Sequence, residues 1–241
     1  MLEKRNILIT GASGKIGRTL TALFAGSGAN LICHYHSNSG FSEKGNIATV
    51  KADLSMPENI ASFLSSLPFV PEIYINCMGS YSTNSFAGCD STKIMEDSNL
   101  NAFSPFIIAK ELAKNTVLAH IIFFLDPRWN DILKERWSYG ISQNMLAYLI
   151  RGLSLELAGK GIRANAVAPG RFNHKNSNES GPNLPYTFPI NTETEASEIE
   201  EAVLFLINSK STTGQILYLD GGRNLLNGVS YKRKQNGHSE S

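Results

Sequence analysis

The sequence predicts an α/β fold, a single domain built on a doubly wound parallel sheet of about seven strands. Three observations predict it. Apolar runs of strand length alternate with stretches whose apolar residues recur at helical spacing. The first stretch, Asn6 to Gly17 (NILITGASGKIG), joins strand, glycine-rich turn and helix in the order of a nucleotide-binding crossover. The 241 residues are 42% apolar, which suits one large core.

In the first strand, Ile7 to Ile9 is apolar throughout, as burial on both faces requires. The turn after it brings backbone N–H groups toward a pyrophosphate at the positive end of the following helix, although glycines serve any tight turn. Leu20, Leu23 and Phe24 give that helix its apolar face. The second strand, Ala29 to His36, ends His34-Tyr35-His36-Ser37 without an acid. An NAD-binding fold places a carboxylate there for the ribose 2′-hydroxyl. Its absence, with Lys15 in reach of the same region, favours NADP(H); the other reading is ordinary polar residues at a strand end. Ser37 to Asn46 is polar and short enough for a loop, and Ile47 to Val50 forms a third strand running into Asp53-Leu54.

Pro57 to Leu67 reads as a helix with proline in its first turn. The fourth strand, Glu72 to Asn76, leads into Asn76-Cys77-Met78-Gly79 and then Tyr81, an aromatic that stacks on a flat ligand or simply packs. Ser91 to Lys114 carries two helical stretches interrupted near Ser104-Pro105. His120 to Leu125 is a fifth strand ending at Asp126, and a helix runs from Tyr139 to about Gly159. Gly161 to Ala168 is a sixth strand, Glu195 to Ser209 a helix, and Thr213 to Gly222 the last strand. The polar segment 171–194 is long for a compact domain and is expected to be a substrate lid. The domain is expected to span 1–228, with a polar tail at 229–241.

A net charge of +1 points to neither a nucleic-acid nor a membrane partner. Cys33, Cys77 and Cys89 fit no metal spacing, so no metal is expected. An odd cysteine count and a charged Met1–Arg5 running straight into a strand are what a reduced, cytoplasmic protein shows.

Thr10 to Gly17 follows the pattern Thr-Gly-x-x-x-Gly-x-Gly with Lys15 at the second glycine, and Ile162 to Gly170 (IRANAVAPG) follows I-R-x-N-x-V-x-P-G. On these motifs the chain, from residue 6 to about 223, resembles the short-chain dehydrogenase/reductase family. The resemblance implies a Rossmann fold acting on a small molecule. It assigns Gly11, Ser13, Lys15, Ile16 and Gly17 to the cofactor pyrophosphate turn, and His34, Tyr35, His36 and Ser37 to the ribose. Asp53 and Leu54 would flank the adenine; Asn76, Gly79, Pro169 and Gly170 complete the cofactor set. Asn101 would order a water, and Tyr139 would donate the proton. Within the family the chain looks most like the pteridine and dihydromonapterin reductases. The features are Lys15, the His34-Tyr35-His36 strand end, Asp126 at the serine position and Tyr81 after the Asn-x-x-Gly turn.

In the family, lysine follows the tyrosine by four residues; here Gln143 stands there. A unit charge ~5 Å away at an effective dielectric of ~20 contributes ~3 kcal/mol, or ~2 pKa units. Without it the Tyr139 pKa returns to about 10 or above, and an ionised Asp126 pushes it the same way. Serine to aspartate and lysine to glutamine each make the site one unit more negative. Such a site favours a protonated C=N bond, as in a pterin or cyclic imine, over a carbonyl. The alternatives are an NADP(H)-binding relative with little activity and a carbonyl reductase. Arg171, in the lid, and Tyr81 would contact substrate. A homo-oligomer, dimer or tetramer, is expected because Leu146, Leu149, Ile150, Leu153 and Leu157 give the Tyr139 helix more apolar surface than one sheet face needs.

Overall fold

The computed structural model describes residues 2–38, 40, 45–172, 189–190 and 193–226. Its seven strands are β1 (Asn6–Thr10), β2 (Asn30–Tyr35), β3 (Ile47–Lys51), β4 (Ile73–Asn76), β5 (His120–Phe124), β6 (Arg163–Pro169) and β7 (Ile216–Leu219). They form one parallel sheet in the order β3-β2-β1-β4-β5-β6-β7. The strand order reverses direction between β1 and β4, which opens a crevice at their carboxyl ends.

Alternate residues of each strand feed opposite faces. Leu8, Ile32, Tyr74, Ile121 and Phe123 meet α2 (Ile60–Ser65), α4 (Ser104–Leu112) and α5 (Trp137–Ala158). Ile7, Ile9, Leu31, Ile75 and Val167 meet α1 (Lys15–Gly26) and α6 (Ala196–Asn208) on the other face. Both faces are covered, which is why the strands are apolar throughout rather than alternating.

Two glycines of the first turn are dictated by space. Gly11 has φ +69°, and a Cβ there would lie 2.6 Å from the backbone of Cys77 and Met78. A Cβ on Gly17 would come within 2.3 Å of the Gly11 carbonyl.

The interruption expected near Pro105 takes another form. α3 (Ser91–Ser98), a π turn over Asn99–Phe103 and α4 follow one another without a break. Proline has no N–H and its ring collides with the carbonyl four residues back, that of Asn101; one wide turn absorbs the misfit. Leu146, Ile150, Leu153 and Leu157 are buried in the chain's own core, which corrects the expectation that they are surplus apolar surface. The exposed apolar residues of α5 are Ile141, Tyr148 and Leu155, seven apart on the opposite face. Residues 173–188 and 191–192 of the expected lid, and all of the expected tail, lie outside the described residues.

Candidate active site

The glycine turn and the start of α1 form a cradle that fits a dinucleotide. Gly14 caps α1 without any side-chain bond, so no side chain takes the anion's place at the helix N-terminus. Lys15 is exposed at the first position of α1, and Ile16 lines the adjoining cavity. The Ser13 carbonyl accepts a hydrogen bond from Arg18 Nε at 2.7 Å. The Arg18 guanidinium reaches Gly40, where an added Cβ would lie 2.5 Å from it. The sequence reading overlooked Arg18, although it stands one helical turn from Lys15.

His34 departs from its expected role at the ribose. It is buried, its Nδ1 accepts from the Gly11 N–H at 3.2 Å, and Nε2 lies 3.1 Å from the Ala52 carbonyl. The ring ties the glycine turn to β2 and presents no donor outward. Burial lowers its pKa to about 4, against the smaller opposing effect of the Ala52 carbonyl. The folded state therefore prefers neutral His34, and between pH 6.5 and 4 the unfolded chain binds the extra proton. Stability from this group is complete above pH 6.5 and falls with acidification, by roughly 2 kcal/mol at pH 5. Urea melts at pH 7.5 and 5 measure it, with His34→Gln reducing the slope; an unchanged slope contradicts the assignment.

His36 and Ser37 are exposed beyond β2, and Tyr35 is half-buried at its end. The His36 ring stands 3.7 Å from Asp53, whose carboxylate accepts from the Ser55 N–H and hydroxyl at 3.0 and 2.6 Å. The Leu54 side chain is buried in the core. Asn76 is buried too, accepting from the Thr10 hydroxyl at 2.9 Å across β1 and β4. Gly79, Pro169, Gly170 and Arg171 line the same cavity as Ile16.

That cavity, about 430 Å³, holds the reactive cluster. A second, of about 560 Å³, is lined mainly by serines, methionines and the acids Glu96 and Asp97, with no such cluster. Tyr139 is buried and donates its hydroxyl to Asp126 Oδ2 at 3.1 Å. Burial first, and then the Asp126 charge and hydrogen bond, hold the phenol well above its usual pKa of 10. Asp126 is also paired with Arg128, a residue absent from the sequence reading. Nε bonds Oδ1 at 3.1 Å, Nη2 bonds Oδ2 at 2.9 Å, and the Arg128 backbone N–H reaches Oδ1 at 2.8 Å. The signal was the short Asp-Pro-Arg spacing, which lets an arginine fold back on its neighbour. The charge count needs correction accordingly: Arg128 neutralises the aspartate. Gln143 is buried, and its Oε1 accepts the Asp126 backbone N–H at 2.9 Å. Only its amide nitrogen is left to meet a ribose.

Tyr81 stands edge-on to Tyr139, with ring centres 4.9 Å apart. The guanidinium of Arg136 lies 3.6 Å over the Tyr81 ring and Arg128 Nη2 donates to its hydroxyl at 2.8 Å. One ring face and the hydroxyl are thus engaged by the protein itself.

Comparison with known proteins gives the family. Residues 11–224 match the family model described as enoyl-(acyl carrier protein) reductase, a match spanning most of the chain. The chain belongs to the short-chain dehydrogenase/reductase family. It is 28% identical to the uncharacterized oxidoreductase YmfI of Bacillus subtilis, over 90% of this chain and 98% of that one. It is 27% identical to an L-xylulose reductase of Caenorhabditis elegans, over 90% and 95%. A short-chain dehydrogenase of Leptospira borgpetersenii with bound NAD+ shares the fold, with TM-score 0.82 and 24% identity over 92% of this chain and 94% of that one.

Within this short-chain dehydrogenase/reductase, Asn101 is buried away from the reactive cavity. Its Oδ1 accepts from the Ser80 N–H at 2.8 Å and its Nδ2 donates to the Ser142 hydroxyl at 2.9 Å. Buried Asp97 accepts from Ser80 and Ser82 hydroxyls at 2.8 and 2.5 Å and from Ser138. Together they fasten the loop carrying Tyr81 to α3 and α5. The loop carrying Asp126 and Arg128 is fastened elsewhere: Trp129 Nε1 donates to the Tyr218 hydroxyl at 2.7 Å, and Arg223 pairs with Asp131 at 3.3 Å. The expected lid leaves and returns at one point, where Phe172 bridges Thr194 and Arg171 pairs with Glu193 at 3.1 Å. No helix among the described residues is long and apolar enough to cross a membrane, and none of them form a cluster of three metal-ligating side chains.

Proposed function

We propose that this short-chain dehydrogenase/reductase is an NADP(H)-dependent reductase of a carbonyl group. The observation that carries this reading is the Tyr139–Asp126–Arg128 chain. Tyr139 stays a protonated phenol at neutral pH, as a proton donor in the reducing direction must. The nicotinamide cofactor supplies the hydride when bound. Tyr139 gives its proton to the oxygen on which negative charge develops. Arg128 balances the Asp126 charge beside that oxygen, so the site is not anionic where negative charge develops. Gln143 accepts the Asp126 backbone N–H and would offer its amide N–H groups to the cofactor ribose.

Reduction of a C=N bond in a pterin-like ring is the second reading, favoured by the aspartate at position 126 and by Tyr81 beside Tyr139. It loses support from Arg128, which cancels the anionic charge that would draw a cation. A binding protein with little activity is not favoured, because the donor and its partners are assembled. NADPH consumption with a diketone, a cyclic imine and a dihydropterin separates these readings. Turnover of the diketone is expected. Turnover of the imine or pterin alone would reverse the order, and no turnover at all would leave the binding protein.

NADPH is expected to bind more tightly than NADH, because Lys15 opens α1 beside the turn and the Arg18 guanidinium reaches Gly40, beyond the end of β2. Lys15→Ala weakens NADPH about tenfold and leaves NADH nearly unchanged. Fluorescence titration of both cofactors decides it, equal affinities counting against. We also propose a homo-oligomer, now on Ile141, Tyr148 and Leu155 as one exposed stripe along α5. A monomer mass in light scattering at micromolar concentration contradicts it.

A further inference from the structure

We infer that Asp97 is a positioning residue for the reduction, setting where the Tyr139 hydroxyl stands. This rests on Tyr139 being the proton donor proposed above. Asp97 lies in the last turn of α3, outside the lining of the reactive cavity. Its three donors are the sequence neighbours of the two rings that meet there. Oδ1 accepts from the hydroxyls of Ser80 and Ser82, which flank Tyr81, and Oδ2 from that of Ser138, which precedes Tyr139. One buried carboxylate thus joins the two segments whose ring centres are 4.9 Å apart.

The first turn of α5 depends on that join. The leading N–H groups of a helix have no partner within it. Arg136, at the N-cap, makes no side-chain cap bond. The Ser138 N–H goes instead to Asn84 Oδ1 at 3.2 Å, in the loop that follows Tyr81. Ser138 aims that amide in return. Asn84 Nδ2 donates to the Ser138 hydroxyl oxygen, whose own hydrogen goes to Asp97. Amide, hydroxyl and carboxylate form one chain of bonds, and Tyr139 is the next residue along the helix.

A carboxylate only accepts, so all three serine hydrogens turn toward it and their directions are fixed. An amide of the same shape has one oxygen. Its NH2 would face one side of the cluster and leave a hydroxyl hydrogen there without its acceptor. Burying a carboxylate among neutral donors costs free energy that a neutral side chain would not. What the fold gains is a Tyr81 loop and a first turn of α5 locked to each other.

The test measures Asp97→Asn alone and combined with Tyr139→Phe, using NADPH and a carbonyl compound that the wild type reduces. Asp97→Asn is expected to lower kcat about 10–10²-fold with NADPH affinity nearly unchanged, as a displaced proton donor does. In the Tyr139→Phe background it is expected to change kcat by less than about twofold, because no hydroxyl is left to misplace. Equal losses in both backgrounds, or an unchanged kcat in the single variant, overturn the inference. Where Asp97→Asn does not fold, Ser138→Ala decides, since it removes one donor and keeps the carboxylate. A kcat loss of at least about threefold that vanishes beside Tyr139→Phe upholds the inference, and any smaller or additive loss overturns it. If the wild type reduces no carbonyl compound, the proposed activity fails, and hydrogen exchange in either variant decides the positioning. Faster exchange at 80–84 and 137–140 than in the rest of α5 upholds it; unchanged or uniformly faster exchange removes it.

Discussion

Tyr139→Phe lowers kcat by about 10²–10⁴-fold and leaves cofactor affinity unchanged. The ring stays in place against Tyr81, since only its hydroxyl is lost. What disappears is the hydroxyl proposed as proton donor, whose hydrogen points to Asp126 Oδ2. Because burial and the neighbouring carboxylate hold the phenol well above 10, the wild-type reduction rate should not decline through loss of this proton anywhere in the neutral range. For the same reason the reverse oxidation, which needs the phenolate, should be slow at neutral pH. A kcat within a few-fold of wild type in the phenylalanine variant removes Tyr139 from the reaction.

Arg128→Ala has the largest expected effect on stability, a loss of about 3–5 kcal/mol. The Asp126 side chain is 7% exposed and the Arg128 side chain 18%. Truncating the arginine strands a buried carboxylate that keeps only one side-chain donor, the Tyr139 hydroxyl. It also removes the bond to Tyr81 and so loosens the lip of the cavity. Asp126→Asn combined with Arg128→Gln should recover most of the loss, since no charge is then left without a partner. Chemical denaturation of the two variants measures this. A cost below about 1 kcal/mol for Arg128→Ala would mean that water, not Arg128, satisfies the carboxylate.

The strands and the glycine turn were legible because a sheet covered on both faces requires unbroken apolar runs, and the turn admits no side chain at Gly11 or Gly17. That Tyr139, Asp126 and Gln143 share one cavity was legible from their place in the family pattern. Partnership was not. Counting charge along the chain registers Asp126 and the missing lysine, but it has no means of registering that Arg128 folds back on the aspartate. His34 misled for a related reason: a histidine at a strand end looks polar and exposed, yet its ring turns inward to join Gly11 and Ala52. The leucines of α5 have helical spacing whichever body they face, and only the packed core shows that they face their own sheet.

The attachment of the 126–131 loop to Tyr218 and Arg223 makes the loop that carries Asp126 and Arg128 depend on residues near β7. Those two residues lie some ninety positions downstream of Trp129 and Asp131. A premature stop before residue 218 would thus release the loop that carries Asp126 and Arg128, although every residue of the Tyr139 cluster would still be translated. It follows that a growing polypeptide leaving the ribosome can make this attachment only once β7 and Arg223 have been added.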